Sequence, residues 1–338
     1  MRAAVHTGPG VIRLVTRPTP VAGRGELLLR VRGCGLCGSD LAKLRDTPPG
    51  PTVLGHEVVG EVVEVGPGAG DYRPGARVVV AHHVPCSVCH YCQRGSPSMC
   101  RAFKASNLDP GGFAEYVRVP SENVRHATFR IPDGIPDTVA AFTEPLACCV
   151  RAVRRAGIGK GDTVGVAGVG AMGALLVQLA RRAGATVVGI DPVSERRALA
   201  EAFGAHATEP ARAGATLAAL TEGRGADSVV LTVGAPAVVQ EALTWVRDGG
   251  TVHLFVGEGE APLSIGAIYR RELTLGATYS SSPADLAEAF TLVCAGDVKV
   301  DLLASHRLPL ERLAEAVELM TERAALKVFV EIASGREA

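Results

Sequence analysis

The sequence predicts an α/β protein in which a β-rich domain accompanies a doubly wound parallel sheet. Over residues 1–80, short runs of alternating apolar and polar residues are broken by Pro and Gly, a pattern typical of a twisted antiparallel sheet or a small barrel. After residue 160, buried-strand patterns alternate with helical ones, which is typical of a doubly wound sheet. Because the chain has 338 residues, more than one core usually supports, we expect two domains.

The β-rich part is expected to form short strands before the chain turns helical. Its strands are predicted at Leu27–Val31, Val58–Val65, Ala76–Val80 and Ala114–Val119, and the helix that follows is predicted at Val139–Arg155.

The second part is expected to alternate strands with helices. Its strands are predicted at Thr163–Ala167, Thr186–Ile190, Ala205–Thr208, Ser228–Thr232, Thr251–Val256 and Leu273–Thr278. Its helices are predicted at Ala171–Ala183, Ser194–Phe203, Ala211–Leu220 and Ala237–Arg247. The remaining segment is predicted to form helices at Pro283–Ala295 and Leu310–Met320 and a strand at Lys327–Ile332, and it is expected to pack on an earlier domain.

The charge balance bears on possible partners. Lys and Arg together number 35, as do Asp and Glu, so no net field favours nucleic acid or an anionic membrane. The N-terminus lacks the apolar core of a signal peptide, and no apolar run reaches the ~20 residues of a membrane helix. We therefore expect a cytoplasmic protein that binds neither nucleic acid nor membranes.

Cys37, His56 and Glu57 form a candidate open zinc site, because zinc accepts sulfur, nitrogen and oxygen donors alike. Cys34 could form a redox pair with Cys37. Since that pairing would remove a ligand, Cys34 is interpreted as a small buried residue. Ser39, two residues after Cys37, could simply belong to a turn.

Four of the nine cysteines lie close together in a loop rich in Pro, Gly and Ser: Cys86, Cys89, Cys92 and Cys100. Four thiolates can close a tetrahedral zinc shell and leave no position for water, which predicts a structural zinc site. An iron–sulfur cluster and a set of buried free thiols are the alternatives. The nearby histidines are interpreted as ordinary polar residues, because the thiols already fill the shell: His82, His83 and His90.

A glycine-rich turn follows the strand predicted at Thr163–Ala167. It comprises Gly168, Val169, Gly170, Ala171, Met172 and Gly173. Such a turn between a strand and a helix lets the backbone approach a pyrophosphate at the helix N-terminus. Asp191 ends the next strand, where a carboxylate binds a ribose diol and repels a 2′-phosphate, which favours NAD over NADP. Arg196 and Arg197 could reach such a phosphate, but are interpreted as a solvated helix face.

Together these motifs resemble the zinc-dependent medium-chain alcohol dehydrogenases, particularly the branch of sorbitol (polyol) and threonine dehydrogenases. The resemblance runs nearly end to end and includes residues 111–116 and 143–147. It implies a GroES-like catalytic domain from residues 1–146 and 280–338, with a Rossmann domain inserted at 147–279. It also implies two zinc ions per chain, one catalytic and one structural, and a homodimer or homotetramer.

The resemblance assigns roles to single residues. It implies that Cys37 and His56 are zinc ligands, that Glu144 is a further ligand, and that Glu57 lies beside the metal, as a ligand or exchanging with water. Glu144 is favoured over Glu57 as the third donor, although it could instead cap the following helix. Ser39 corresponds to the hydroxyl that accepts the substrate proton.

Further correspondences concern the surroundings of the metal and the cofactor. Asp40 is expected to hold the His56 ring, and Lys327 to contact the cofactor phosphates. Cofactor contacts are also expected at Arg196 and Val256. The family usually carries a histidine where this chain has Ala42, so the proton relay is expected to pass from Ser39 to the cofactor ribose and on to water.

The implied activity is hydride transfer between a secondary alcohol or polyol, or the corresponding ketone, and a nicotinamide cofactor. A zinc-dependent dehydrogenase of an aldose or of threonine shares every motif. A zinc-free quinone or enoyl reductase shares the fold but needs none of Cys37, His56 and Glu144. A non-enzymatic zinc protein on the same fold would tolerate loss of these ligands, which are all present.

Overall fold

The structure is a computed structural model that describes residues 1–332. The chain divides into two compact units. One contains Met1–Ala147 and, of the later described residues, 281–332, and the other contains Cys148–Ser280.

The N-terminal part of the first unit is mostly β-structure. Its strands are β1 (Arg2–Gly8), β2 (Val11–Thr16), β3 (Leu27–Gly35), β4 (Thr52–Val53), β5 (Glu57–Val65), β6 (Arg77–Ala81), β7 (Tyr116–Val119) and β8 (Thr128–Arg130). Its helices are α1 (Gly38–Arg45), α2 (His90–Gln93), α3 (Arg101–Ala105), α4 (Ser121–His126), α5 (Asp137–Ala140) and the start of α6 (Thr143–Arg155), with a 3₁₀ turn at Pro97–Met99.

The second unit alternates strands and helices. Its strands are β9 (Thr163–Ala167), β10 (Thr186–Ile190), β11 (His206–Thr208), β12 (Ala226–Leu231), β13 (Val246–Leu254) and β14 (Thr274–Ala277). Its helices after α6 are α7 (Ala171–Arg182), α8 (Ser194–Ala202), α9 (Ala213–Leu220), α10 (Pro236–Trp245) and α11 (Ile265–Arg270), with a 3₁₀ turn at Pro210–Arg212.

The chain then returns to the first unit. The elements there are α12 (Pro283–Ala295), β15 (His306–Pro309), a 3₁₀ turn at Leu310–Arg312, α13 (Leu313–Thr321) and β16 (Val328–Glu331).

The strands of the first unit form two sheets. One has the order β2-β1-β4, and the other has the order β15-β16-β3-β5-β6-β8, with β7 also paired to β3. Buried side chains from both sheets share one apolar core, which includes Val5 of β1, Leu29 of β3 and Val58 of β5. The predicted β-rich domain is therefore confirmed, and β16 joins its sheet from the C-terminal part of the chain.

The second unit contains a parallel sheet with the strand order β11-β10-β9-β12-β13-β14. This is the doubly wound order in which the first strand lies at the centre, next to the point where the winding reverses. The predicted strands and helices are all present, β9 and β10 with the predicted bounds and the others with shifted ends. The largest shift is in β13, which begins at Val246 rather than at Thr251.

The predicted helix Val139–Arg155 is instead two helices, α5 and α6. Pro145 has no N–H to donate to the carbonyl four residues earlier, so one continuous helix would lose a hydrogen bond there. The hydroxyl of Thr143 donates to the carbonyl of Ala140 (2.8 Å), where the first helix ends. A proline in the first turn of a new helix costs nothing, because its N–H would be unpaired anyway.

Candidate active site

One edge of the seven-stranded sheet collects the candidate metal residues. In the antiparallel register, Glu57 at the start of β5 pairs with Gly35 at the end of β3. Cys37 follows β3 by two residues and His56 precedes β5 by one, so both side chains belong to this edge. Their ligand atoms and that of Glu57 all lie within 4.8 Å of one another.

The three donors fit a zinc ion. Thiolate sulfur, imidazole nitrogen and carboxylate oxygen are all ordinary zinc ligands, and three protein ligands leave a position for water or substrate. His56 is 6% exposed and Glu57 is fully buried. Oε2 of Glu57 is also buried without a hydrogen-bond partner among the described residues. Such an orphaned acceptor is costly unless something binds it, which is consistent with a cation at this place.

Asp40 contacts two of the candidate zinc ligands, Cys37 and His56. Its Oδ2 accepts a hydrogen bond from the backbone N–H of Cys37 (3.1 Å), and its Oδ1 lies 3.3 Å from Nδ1 of His56. Oδ1 also accepts the backbone N–H of Gly55 (3.3 Å). The expected contact between Asp40 and His56 is therefore confirmed. It holds Nδ1 of the imidazole and leaves Nε2 available to a metal.

The same contact dominates the electrostatics of the pair. Burial lowers the pKa of His56, but the negative charge of Asp40 and its hydrogen bond outweigh burial, and the pKa lies well above its ordinary value. Burial raises the pKa of Asp40, but the charge of His56 and the hydrogen bonds together lower it by more than burial raises it. The net shift of this pKa is therefore downward. Asp40 is thus an anion that supports a cationic centre at His56.

Lys327 lies on the other side of Glu57. Its Nζ forms a buried ion pair with Oε1 of Glu57. Burial lowers the pKa of Lys327, but the charge of Glu57 and, next in size, that of Cys37 raise it by more than burial lowers it. The net shift of this pKa is upward, so the ammonium stays charged. A Cβ at Gly35 would collide with Oε2 of Glu57, so only glycine leaves room for this carboxylate. Contact of Lys327 with the cofactor phosphates stays a prediction.

Glu144 and Ser39 occupy different settings. Glu144 lies in the first turn of α6, is 6% exposed, and contributes to the raised pKa of Lys327 through its charge. Among the described residues, the group of donors within 4.8 Å contains Glu57 and not Glu144, so Glu144 as a zinc ligand stays a prediction. Ser39 lies in the first turn of α1 with its side chain exposed, rather than in an isolated turn.

The four clustered cysteines come together as a second donor set. All four Sγ atoms lie within 4.8 Å of one another. The pairs Cys89–Cys92 and Cys86–Cys100 are each separated by 3.5 Å between sulfurs. A disulfide requires about 2.05 Å, whereas a zinc tetrahedron with Zn–S bonds of about 2.3 Å has sulfur–sulfur edges of about 3.8 Å. The spacing fits a closed metal shell.

The acidity of one thiol supports this assignment. Burial raises the pKa of Cys100, but the backbone N–H groups of Cys86 and Phe103 stabilise its thiolate and lower the pKa to about 6. Burial and the hydrogen bonds with Cys89 and Cys100 raise the pKa of Cys92 to about 12, so of these two thiols it is Cys100 that favours the thiolate form that binds metal. A structural zinc held by the four cysteines stays a prediction.

The glycine turn has the geometry that a pyrophosphate requires. Gly168 has φ +90°, and a Cβ there would collide with the hydroxyl of Thr232. A Cβ at Gly173 would collide with the carbonyl of Gly168. At Gly170, by contrast, no heavy atom lies within 4 Å of the Cβ position. The first and third glycines permit the tight turn, and the second leaves open space next to the N-terminus of α7.

Asp191 lies beside this turn at the end of β10. Its carboxylate accepts the backbone N–H of Val169 (2.7 Å) and that of Val193 (2.9 Å), and it is 2% exposed. The interpretation of Arg196 and Arg197 as a solvated helix face is wrong. Nη1 of Arg196 lies 3.9 Å from Oδ2 of Asp191, and Arg197 donates to the carbonyl of Asp191 (2.9 Å). Arg196 is thus drawn to the carboxylate of Asp191, whereas Arg197 is held by backbone carbonyls just after β10.

Two family models match the chain. Residues 23–133 match the alcohol dehydrogenase GroES-like domain, and residues 171–294 match the zinc-binding dehydrogenases. The L-galactonate-5-dehydrogenase of Escherichia coli K12 is 33% identical over 311 residues, covering 89% of this chain and 90% of the relative. The chain belongs to the zinc-dependent medium-chain dehydrogenases.

Other members of this dehydrogenase family cover nearly the whole chain. The sorbitol dehydrogenase of Halalkalibacterium halodurans is 31% identical and covers 98% of this chain and 99% of its own length. A zinc-binding dehydrogenase of Sinorhizobium meliloti 1021, whose structure was solved bound to NADP, is 33% identical with a TM-score of 0.86 over 98% of each chain. The resemblance found in the motifs is therefore confirmed for the family and the fold.

In this dehydrogenase, one residue beside the donor group of Cys37, His56 and Glu57 was not predicted from the sequence, namely His82. The ring of His82 lies 4.6 Å from that of His56, centroid to centroid. The signal is the strand register, because Ala81 at the end of β6 pairs with Glu57, which places the next residue beside His56. Burial lowers the pKa of His82 well below its ordinary value, as do the charges of His56 and His83, so the imidazole is neutral.

The remaining expectations concern the cofactor and the membrane. Val256 lies two residues beyond the end of β13 and is half-buried, and its contact with the cofactor stays a prediction. None of the helices described in residues 1–332 is long and apolar enough to cross a membrane.

Proposed function

We propose that this dehydrogenase transfers a hydride between a secondary alcohol with several hydroxyl groups and NAD, and that the reverse reaction reduces the ketone. The observation that carries the proposal is the convergence of Cys37, His56 and Glu57 at one sheet edge, within 4.8 Å. The names of the two curated relatives point to L-galactonate and to sorbitol, which are both polyhydroxy compounds.

Cys37, His56 and a carboxylate would hold a zinc ion, which would supply the Lewis acidity that lowers the pKa of a substrate hydroxyl. Asp40 orients the His56 ring and stabilises positive charge there. Ser39 would accept the hydroxyl proton, which with a cofactor bound would leave through its ribose to water, since Ala42 has no group to carry it. The glycine turn binds the pyrophosphate and fixes the position of the nicotinamide.

NAD is the proposed cofactor, although one structural relative binds NADP. Asp191 places a buried carboxylate at the end of the second parallel strand, where it accepts hydrogen bonds from a ribose diol and repels a 2′-phosphate. Arg196, at 3.9 Å from Oδ2 of Asp191, is partly neutralised by it. The guanidinium is therefore less available to a phosphate than an isolated arginine is.

A zinc-dependent dehydrogenase of an aldose or of threonine uses the same residues, and only the substrate separates it from the main proposal. The two competing classes without catalytic zinc are a zinc-free reductase and a non-enzymatic zinc protein. Neither needs a metal at Cys37, His56 and Glu57, so neither explains why these three donors lie together.

We also propose that the chain works in a reducing compartment as a homodimer or homotetramer. The strand β14 lies at the edge of the six-stranded sheet, with Leu275 41% exposed. An edge strand offers unpaired backbone groups to a second copy. Sedimentation of the wild type and of Leu275→Lys tests this, because a charge on that strand is expected to shift the protein towards monomer.

The decisive experiment combines metal analysis with a spectrophotometric screen. The zinc-loaded protein is assayed with polyols, simple secondary alcohols, threonine and aldoses, each with NAD and with NADP. Cys37→Ala is expected to lose one zinc and nearly all turnover. Cys34→Ala, a change at a buried cysteine outside the donor group, is the matched control and is expected to keep both. Undiminished turnover in Cys37→Ala would reject the proposal.

The same assay separates the two carboxylates. Glu144→Ala is expected to reduce turnover much more than stability if it supplies a ligand. Unchanged activity in that variant would leave Glu57 as the working donor.

A further inference from the structure

His82 is a buried polar side chain, 9% exposed. Among the residues that the structure describes, its buried Nδ1 has no hydrogen-bond partner. No hydrogen bond from either ring nitrogen to another residue is found in the described part of the chain. Buried polar groups in native proteins are nearly always paired, and the exceptions call for an explanation such as a bound molecule.

The neighbouring histidine shows the contrast. The ring of His83 packs against that of His82 with centroids 3.7 Å apart and planes tilted by 39°, and its Nδ1 lies 2.6 Å from the carbonyl of Ser106. The His83 ring also lies 4.8 Å from the ring of Phe103, centroid to centroid. One imidazole of the pair is therefore fixed by the protein, and the other has polar atoms that the protein does not use.

The location of His82 restricts what it can bind. Its ring lies 4.6 Å from that of His56, centroid to centroid, so the imidazole borders the donor group of Cys37, His56 and Glu57. Orphaned N–H groups are rarer in protein interiors than under-satisfied acceptors. The hydrogen therefore belongs on Nε2, which leaves the buried Nδ1 as a bare acceptor and makes Nε2–H a donor towards the remaining exposed side of the ring.

We propose that His82 is a specificity-determining residue whose Nε2–H donates a hydrogen bond to a second substrate oxygen, on the carbon next to the reacting carbinol. The inference rests on the proposed function and narrows its substrate class to vicinal diols and related polyhydroxy compounds. A site built to hydrogen-bond a substrate oxygen discriminates strongly against analogues that lack it, because its polar group is then left unpaired.

The test compares 2,3-butanediol, as separate stereoisomers, with 2-butanol in the zinc-loaded protein. His82→Phe keeps a ring of similar shape and removes the donor. Its kcat/KM for the preferred diol is expected to fall about 10-fold to 100-fold, whereas that for 2-butanol changes less than about 3-fold. The matched control His83→Phe changes the imidazole that is already bonded to Ser106, and it is expected to keep the wild-type preference for the diol.

A second readout does not depend on turnover. In protein labelled with ¹⁵N at histidine, the resonances missing from His82→Phe identify His82. Their chemical shifts are expected to report the Nε2–H tautomer, and 2,3-butanediol is expected to shift them in the zinc-loaded protein while 2-butanol is not. His82→Phe is also expected to melt at the wild-type temperature or above, since it removes an orphaned polar atom.

The outcomes separate the inference from the function on which it rests. If the wild type oxidises both alcohols and His82→Phe changes both equally, the inference is wrong and the proposed function stands. An Nδ1–H tautomer, or no response of the His82 signals to the diol, would also overturn it. If the wild type oxidises no alcohol with either cofactor, the proposed function fails, whatever the tautomer is.

Discussion

The ammonium of Lys327 and the carboxylate of Glu57 form an ion pair in which the two side chains are 6% and 0% exposed. Glu57 also belongs to the donor group of the candidate catalytic zinc. The same carboxylate is therefore available to two cations, one supplied by the chain and one from solution. Because the ammonium is bound to Oε1 and Oε2 has no hydrogen-bond partner among the described residues, the carboxylate has one oxygen for each cation.

Lys327→Met is expected to destabilise the protein by about 3–5 kcal/mol, because it leaves the buried charge of Glu57 without its partner. The double variant Lys327→Met/Glu57→Gln is expected to recover most of this loss, since it also removes the charge. Urea unfolding of the wild type, both single variants and the double variant measures the coupling. Additive effects of the two substitutions would show that the pair does not stabilise the fold.

Two zinc ions per chain are expected in the purified protein, and Cys100→Ser is expected to reduce the count to one. Closed zinc shells contribute directly to folding, so this variant is also expected to melt at a lower temperature. Cys294→Ser, a change at a cysteine outside the four-thiol group, is the control and is expected to retain both ions. Metal analysis showing iron and sulfide in place of one zinc would support the iron–sulfur alternative.

Asp191→Asn is expected to weaken the preference for NAD by about 10-fold in kcat/KM, because it removes the charge that repels a 2′-phosphate while keeping the shape of the side chain. Arg196→Ala is expected to act in the opposite direction, by removing the nearest cation. Initial rates with both cofactors test the pair of variants. A wild type that already prefers NADP would show that the arginine dominates this corner.

His253 predicts a specific acid sensitivity of the second unit. Burial lowers its pKa to about 4, and its Nε2 lies 2.8 Å from the hydroxyl of Thr278. Between pH 4 and its ordinary value of 6.5, the unfolded chain binds a proton that the folded one does not. The contribution of neutral His253 to the free energy of unfolding is therefore fully present above about pH 6.5 and is lost as the pH falls to about 4. Within this range the free energy of unfolding falls by up to about 1.4 kcal/mol per pH unit.

This sensitivity can be followed with the only tryptophan of the chain, Trp245, which is buried in the core of the second unit. Urea unfolding monitored by its fluorescence is expected to show a shallower loss of stability between pH 6.5 and 4.5 in His253→Gln than in the wild type. The candidate zinc ligands lie in the first unit and are the same in both proteins. Equal slopes would assign the acid sensitivity to other groups.

Local patterns predicted much of the molecule. The turn from Gly168 to Gly173 and the thiol cluster were recognisable because each is written within a few neighbouring residues. The contact of Lys327 with Glu57 and the position of His82 were not predicted, because they depend on strand register. Glu57 pairs with Gly35 on one side and with Ala81 on the other, and Gly35 pairs with Phe329. A shift of one residue in any of these pairs would separate the groups.

The ion pair also has a consequence for biosynthesis. Lys327 follows Glu57 by 270 residues. During translation, the sheet edge that carries Glu57 leaves the ribosome long before Lys327 does. Until synthesis is nearly complete, burying the carboxylate would therefore leave its charge without a counterion. A nascent chain released before Lys327 would keep this edge open to water, and a cellular protease could distinguish it from the finished protein.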